Sequence, residues 1–211
     1  MKIAVVGATG RTGVQVVRQA LARGHRLTAL ARHPERLPAY DDALHAAAVD
    51  ALDRDRLVEL LAGADAVVST LGIGTSRGPT TVYSQGTANV LHAMSTNGFT
   101  RLAVISAAPV GPRHEQPFFQ RRVVMPVLER VFGATYDDMR RMEALLRESD
   151  ADWTALRPPR LVDKPATGHY RVDTLRPLPG ARSLTFGDLA AALLDSLDRE
   201  DLYRRPAYVA G

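Results

Sequence analysis

Two hydrophobic periods alternate along the first half of the chain. Lys2–Val6 is a short apolar run that ends at a glycine, after which Val14, Val17 and Leu21 recur at helical spacing until Gly24 offers a stop. Further strands are predicted at Leu27–Ala31, Leu44–Val49, Asp65–Thr70 and Arg101–Ser106, with a short helix over Asp53–Leu61 and a longer one from about Thr80 to Thr96 between them. Strands that alternate with helices imply a parallel sheet covered on both faces, so the expected fold class is α/β, a doubly wound parallel sheet of the Rossmann type.

The second half is less regular. Ala107–Pro117 is rich in Pro and Gly, and Phe118–Phe132 is amphipathic with Pro126 inside it. Asp137–Glu148 reads as a helix and Trp153–Arg157 as a strand broken by Pro158 and Pro159. Asp163–Gly180 reads as loop with an extended piece at His169–Val172, followed by a helix over Thr185–Leu197 and a strand at Ala207–Val209. With no repeat, low-complexity tract or linker, the 211 residues are expected to form one domain, irregular over about 107–134 and 158–182.

Composition narrows the chemistry. At 45% apolar and 24% charged residues this is a globular composition able to bury a full core. The chain has no cysteine, which excludes disulfides, thiolate nucleophiles and Cys-based metal sites. The six histidines (His25, His33, His45, His92, His114 and His169) show no metal-ligand spacing, so no metal is expected. Lys2 leads straight into an apolar strand with no signal-peptide layout, and the longest apolar stretch is broken by Glu59 and Asp65; a cytoplasmic protein without a membrane span is expected.

The net charge of +4 is unevenly spread. Residues 1–36 hold Lys2 and six arginines against Glu35 alone. Such a bias suits a phosphate-bearing ligand, either a nucleic acid or a small phosphorylated cofactor. No helix-turn-helix pattern or concentrated basic helix is present, so nucleic acid is not an expected partner.

The strongest motif is Gly7-Ala8-Thr9-Gly10-Arg11-Thr12-Gly13, which follows the first strand and opens the first helix. Glycine there permits a tight turn and a close backbone approach to a pyrophosphate, whose charge a helix N-terminus stabilises. No Gly-Lys-Ser/Thr follows, which excludes the P-loop. In this fold an acid ending the second strand would bind an NAD ribose, whereas here that strand ends at Arg32, with His33 next and Arg36 a turn later. An arginine fork suits a 2′-phosphate, so NADPH is predicted over NADH. Asp50 and Ala51, Thr70-Leu71-Gly72, and Ser106-Ala107 end the next three strands and should line the same crevice, although Asp50 equally suits a helix cap near Asp53.

GATGRTG, the Arg32–Arg36 segment, the TLG and ISA strand ends and the block RPPRLVDKPATGHY together resemble the atypical short-chain dehydrogenase/reductases, in particular the flavin reductase/biliverdin-IXβ reductase type. PTTVYSQGTANVLHAM at 79–94 and DDMRRMEALLRESDADWT at 137–154 support the resemblance, which thins over 107–134. It implies that Gly7, Thr9, Gly10, Arg11, Thr12 and Gly13 hold the pyrophosphate and that Arg32 and Arg36 take the 2′-phosphate. It further places Asp50 and Ala51 at the adenine, Leu71, Gly72 and Ser106 towards the nicotinamide, and Pro158 and Pro159 behind it. Arg160 and the 107–134 segment fall where the acceptor would bind.

A typical short-chain dehydrogenase pairs a tyrosine with a lysine four residues on. Here the comparable pair is Tyr136 and Arg140, with Tyr136 expected just before a helix, and arginine cannot relay a proton. The reductase type implies instead direct hydride transfer from NADPH to a planar conjugated acceptor (flavin, quinone or tetrapyrrole), with solvent supplying the proton and Ser106 orienting the acceptor or donating a hydrogen bond to it. A non-catalytic NAD(P)H-sensing regulator of the NmrA type remains the alternative. A sugar epimerase or dehydratase is disfavoured, because it needs the Tyr–Lys pair and a larger C-terminal domain. The apolar stripe of Phe118, Phe119, Val123, Val127, Leu128, Val131 and Phe132 is read as core packing before an acceptor lid or dimer face, so monomer and homodimer both stay open.

Overall fold

A computed structural model describes residues 1–38, 43–74, 78–112, 122 and 125–211. In chain order the elements are β1 (Lys2–Val6), α1 (Arg11–Ala22), β2 (Arg26–Ala31), β3 (Leu44–Ala48), α2 (Arg54–Leu60), β4 (Ala66–Ser69), α3 (Val82–Asn97) and β5 (Arg101–Ile105). There follow α4 (Met125–Glu148), β6 (Asp152–Arg157), β7 (Arg160–Val162), β8 (Arg171–Asp173), β9 (Ser183–Thr185), α5 (Phe186–Ser196) and β10 (Arg205–Ala210). Eight strands form one sheet in the order β3-β2-β1-β4-β5-β6-β10-β8. All neighbours in it are parallel except β10 and β8, which pair antiparallel at the edge. The strand order reverses beside β1, between its neighbours β2 and β4, and that topological switch point opens the crevice where doubly wound sheets bind ligands.

The pleat of β1 shows why the core has two halves. Ile3 and Val5 face α1 and α5, joining Val16, Val17, Leu189 and Leu193. Ala4 and Val6 face the opposite way, joining Leu57 of α2, Val90 and Met94 of α3, and Met142 and Leu146 of α4. Each fully buried Val, Leu or Met contributes about 1.5–3 kcal/mol, and both faces of a parallel sheet must be covered for that gain to be realised.

Local chemistry sets the element ends. The Arg56 N–H donates to Asp53 Oδ1 at 3.1 Å, so Asp53 caps α2. Gly98 ends α3 in the left-handed region at φ 75°. Asp188 N–H donates to Thr185 Oγ1 at 2.9 Å at the start of α5. At the other end of α5 the buried Arg101 guanidinium donates to the Leu197 carbonyl at 3.0 Å and to that of Ser196. Burial lowers its pKa to about 10 against the opposing charges of Tyr203, Asp152 and Asp198, and its guanidinium carbon lies 4.2 Å from the centroid of the Tyr203 ring.

Three differences from the predicted elements have physical causes. First, α4 runs unbroken for 24 residues from Met125, so Tyr136 stands inside it rather than before it. Pro126 sits in the first turn, where no donor is required, and Gly133 interrupts the apolar period without breaking the helix. Second, β7 and β9 pair in parallel as a separate two-stranded sheet, each only three residues long and too short for an alternation to register. Third, the extended piece of the C-terminal loop is Arg171–Asp173, shifted from His169–Val172 because Val172 pairs with Val209 of β10. Of the expected amphipathic stripe, Phe118, Phe119 and Val123 lie outside the described residues, as does His114.

Candidate dinucleotide and acceptor site

The C-terminal ends of β1 to β6 surround a cavity of about 890 Å³. Its floor is the turn after β1. Gly7 sits at φ 83°, and its N–H and that of Ala8 both donate to the Leu30 carbonyl, at 2.8 and 3.1 Å. A Cβ on Gly7 would stand 2.9 Å from the Thr70 carbonyl oxygen, so only glycine lets the β1 and β4 ends approach this closely. Thr70 secures that approach, its hydroxyl lying 3.1 Å from the Val6 carbonyl and 3.0 Å from that of Gly7. Gly10 begins α1 with no side-chain cap, which leaves the helix terminus open to an anion.

Gly7, Thr9, Gly10, Arg11, Thr12, Arg32, Arg36, Asp50, Ala51, Thr70, Leu71, Gly72, Ser106, Ala107 and Pro158 all line this cavity, so the structure gathers every expected cofactor position except one. Gly13 is the exception. A Cβ there would lie 2.3 Å from the Gly7 oxygen and 2.7 Å from the Ala8 oxygen. Its absence of side chain lets α1 pack against the turn, and Gly13 itself is buried away from the cavity. Asp50 is not a helix cap, because its Oδ1 accepts from the Leu52 N–H at 2.9 Å while Asp53 serves α2.

One end of the cavity is basic. Arg32 and Arg36 are exposed, and among the described residues no carboxylate pairs with either. The guanidinium of Arg11 stacks over Phe186, 4.7 Å from the ring centroid. The other end is apolar, walled by Ile73, Tyr83, Met139, Pro158, Pro159 and Leu161. Arg160 does not line it; the alternation of β7 turns Leu161 inwards and leaves Arg160 exposed.

The two candidate catalytic hydroxyls fare differently. Tyr136 is not brought to the cavity. It is half-buried against Phe132, with ring centroids 6.1 Å apart, and burial raises its pKa against the pull of Arg140. The guanidinium of Arg140 is engaged by Asp137 at 2.7 Å and by Glu129 at 3.6 Å. Ser106 does line the cavity, yet its hydroxyl donates to Glu143 Oε1 at 2.8 Å.

Behind Ser106 lies a buried ion pair that the sequence reading missed. Glu143 is 1% exposed and Arg157 4%. Arg157 Nε donates to Oε1 at 2.9 Å and Nη2 to Oε2 at 2.6 Å, while Arg147 adds a third guanidinium contact at 2.8 Å. Burial alone would lower the pKa of Arg157, but the Glu143 hydrogen bonds and charge more than offset that and raise it. Two buried carboxylates on one face of α4 were the available signal, since Asp138 and Glu143 interrupt the apolar row of Met139, Met142 and Leu146. Asp138 accepts from the N–H groups of Tyr83, at 2.9 Å, and Ser84, and thereby fixes the start of α3. Tyr83, also missed, presents its phenol to the cavity. Its pKa is raised mainly by burial, and its oxygen accepts from the Ile73 N–H.

Residues 7–200 match a family described as NAD(P)H-binding. The chain belongs to that NAD(P)H-binding family. The matched range takes in the glycine turn, the start of α1 and the basic end of the cavity. Among curated relatives, a 3-diazoavenalumate denitrifying reductase of a Streptomyces species is 30% identical over 189 residues, 81% of this chain and 59% of that protein. An uncharacterized Mycobacterium tuberculosis protein is 35% identical over 118 residues, and the match spans only 13% of its length. Among solved structures, ChuY, an anaerobillin reductase of Escherichia coli O157:H7, superposes with a TM-score of 0.81 at 18% identity, covering 100% of this chain and 97% of that one. The fold of this NAD(P)H-binding protein is thus shared with ChuY. Among the described residues no helix is long and apolar enough to cross a membrane, and no group of His, Asp and Glu could hold a metal ion.

Proposed function

We propose that this protein is an NADPH-dependent oxidoreductase that transfers a hydride to a conjugated small-molecule acceptor, a flavin, quinone or tetrapyrrole. The observation that carries the reading is the polarity of one continuous cavity, basic at Arg32 and Arg36, cradled at Gly7–Thr12, and apolar around Ile73, Tyr83, Pro158 and Leu161. When bound, the reduced dinucleotide supplies the hydride. The chain's own residues bind and orient. Arg32 and Arg36 favour the 2′-phosphate, and the rigid strand ends fix where the two rings meet.

Among the described lining residues Tyr83 is the one titratable group away from the basic half, and no lysine accompanies it. Among the described residues deprotonation of an alcohol therefore lacks a Tyr–Lys pair, whereas reduction of a conjugated ring needs only a solvent proton. A small-molecule acceptor and no nucleic acid belong to this reading, with the chain acting as monomer or homodimer. The missing Tyr–Lys pair equally suits a dinucleotide sensor without turnover.

The test is NADPH oxidation by purified protein against FMN, riboflavin, simple quinones and a linear tetrapyrrole. Turnover with one acceptor class, faster with NADPH than NADH, is expected. Tight NADPH binding with no turnover on any acceptor would transfer the reading to the sensor.

A further inference from the structure

Ser106 has a single hydroxyl proton, and its nearest acceptor is a carboxylate. Glu143 Oε1 lies 2.8 Å from Ser106 Oγ, and both residues are almost wholly buried, at 1% and 2% exposure. Both Glu143 oxygens accept guanidinium N–H groups, from Arg157 and Arg147, and a carboxylate paired in this way offers the serine an acceptor and no donor. The serine proton therefore points away from the cavity. What Ser106 can still offer to an occupant is the lone pairs of its oxygen.

We infer that Ser106 is a hydrogen-bond acceptor for an N–H donor, the carboxamide of the nicotinamide, and that Glu143 is the positioning residue that enforces this polarity. The inference rests on the dinucleotide reading of the cavity and reverses the donor role expected for Ser106. The same carboxylate joins two walls of the site. Its α4 backbone carries Met139 one turn earlier into the lining, Ser106 follows β5, and Arg157 ends β6 directly before Pro158 and Pro159. A shift of Glu143 thus moves both the serine and the prolines, while Arg32 at the far end of the cavity is untouched.

The discriminating probe is the reduced 3-acetylpyridine analogue of NADPH, which keeps the carbonyl oxygen and lacks the N–H2. Equilibrium Kd values by fluorescence or calorimetry need no turnover. Wild-type protein should bind NADPH about five- to tenfold more tightly than the analogue, the worth of one net hydrogen bond. In Ser106→Ala the two Kd values should converge to within about twofold through loss of NADPH affinity alone. Glu143→Gln, whose amide can donate to the serine and free its proton, should also collapse the ratio while leaving the NADPH-over-NADH preference in place. A merely structural serine or glutamate would weaken both ligands alike. A wild-type ratio near one, or a ratio unchanged in Ser106→Ala, overturns the inference and leaves the dinucleotide reading standing. Failure of the wild-type protein to bind either ligand overturns both.

Discussion

Removal of Glu143 is the perturbation whose cost the structure bounds most closely. In Glu143→Ala the guanidinium of Arg157, with a side chain 5% exposed, loses both hydrogen bonds that it donates to the carboxylate and keeps, among the described residues, a contact to Tyr208 Oη at 3.4 Å. Breaking a buried pair by deleting one partner costs about 3–5 kcal/mol, because the surviving charge stays desolvated. The Arg147 contact adds little, since that side chain is 51% exposed and its charge is screened. Against a total stability of about 5–15 kcal/mol, the loss should lower the midpoint of thermal unfolding by roughly 10 °C for a chain of this size. The paired replacement Glu143→Leu with Arg157→Met removes both charges and fills much of the volume, so it should fall within about 1 kcal/mol of wild type. Urea unfolding of wild type, each single variant and the double variant closes the cycle. A coupling of at least about 2 kcal/mol is expected. If the double variant instead costs the sum of the two singles, the pair is not interacting and the account of α4 as the clamp behind Ser106 fails.

Other expectations follow from the same geometry. Arg32→Ala should reduce the NADPH-to-NADH affinity ratio about tenfold, the lower end for a charged hydrogen bond because Arg32 is exposed; an unchanged ratio in paired titrations would sink the 2′-phosphate assignment. Gly13→Ala forces a Cβ to 2.3 Å from the Gly7 oxygen and should cost about 1–3 kcal/mol and weaken NADPH binding together, whereas Gly133→Ala, with nothing within 4 Å of the new carbon, should stabilise by about 0.5–1 kcal/mol. Calorimetric melting of both variants would show opposite signs, and equal signs would contradict the packing described. Burial opposes ionisation of Asp188, but the Thr167 N–H, the Thr185 and Thr167 hydroxyls and the Gly168 N–H outweigh it and hold its pKa below the usual carboxylate value. A depressed folded-state pKa contributes stability above the unfolded value of about 3.9 and loses it as pH falls through the folded one. Asp188→Asn should therefore melt below wild type at pH 7, with the gap narrowing under pH 4; a constant gap across pH 2.5–7 would contradict the assignment.

The basic half of the cavity was legible because the residues that line it are local in the chain. Gly7, Gly10 and Arg32 each line the cavity within a few residues of a strand end, and strand ends are set by hydrophobic periods that a single sequence displays. The alternation of β1 to β5 with α1 to α3 was legible for the same reason, with boundaries displaced by a residue or two. What was not legible depends on contacts between distant segments. Ser106 meets Glu143 37 residues later and Glu143 meets Arg157 14 further on, and nothing in the spacing says that a serine after β5 faces a carboxylate on α4. Gly13 stands apart from the other glycines of its motif, because a pattern of glycines does not distinguish one that faces a cavity from one that admits a helix, and the Gly7 oxygen 2.3 Å from the missing Cβ makes that distinction here. Tyr136 failed for a related reason: its spacing to Arg140 survives, but α4 extends back to Met125 and turns the phenol onto Phe132 instead of the cavity. The chemistry of the acceptor end is therefore a property of the α4 packing. Substrate preference should respond to substitutions on the buried face of that helix, at Met139 before any residue of the glycine loop, because Met139 is the α4 side chain that reaches the cavity wall among the described residues.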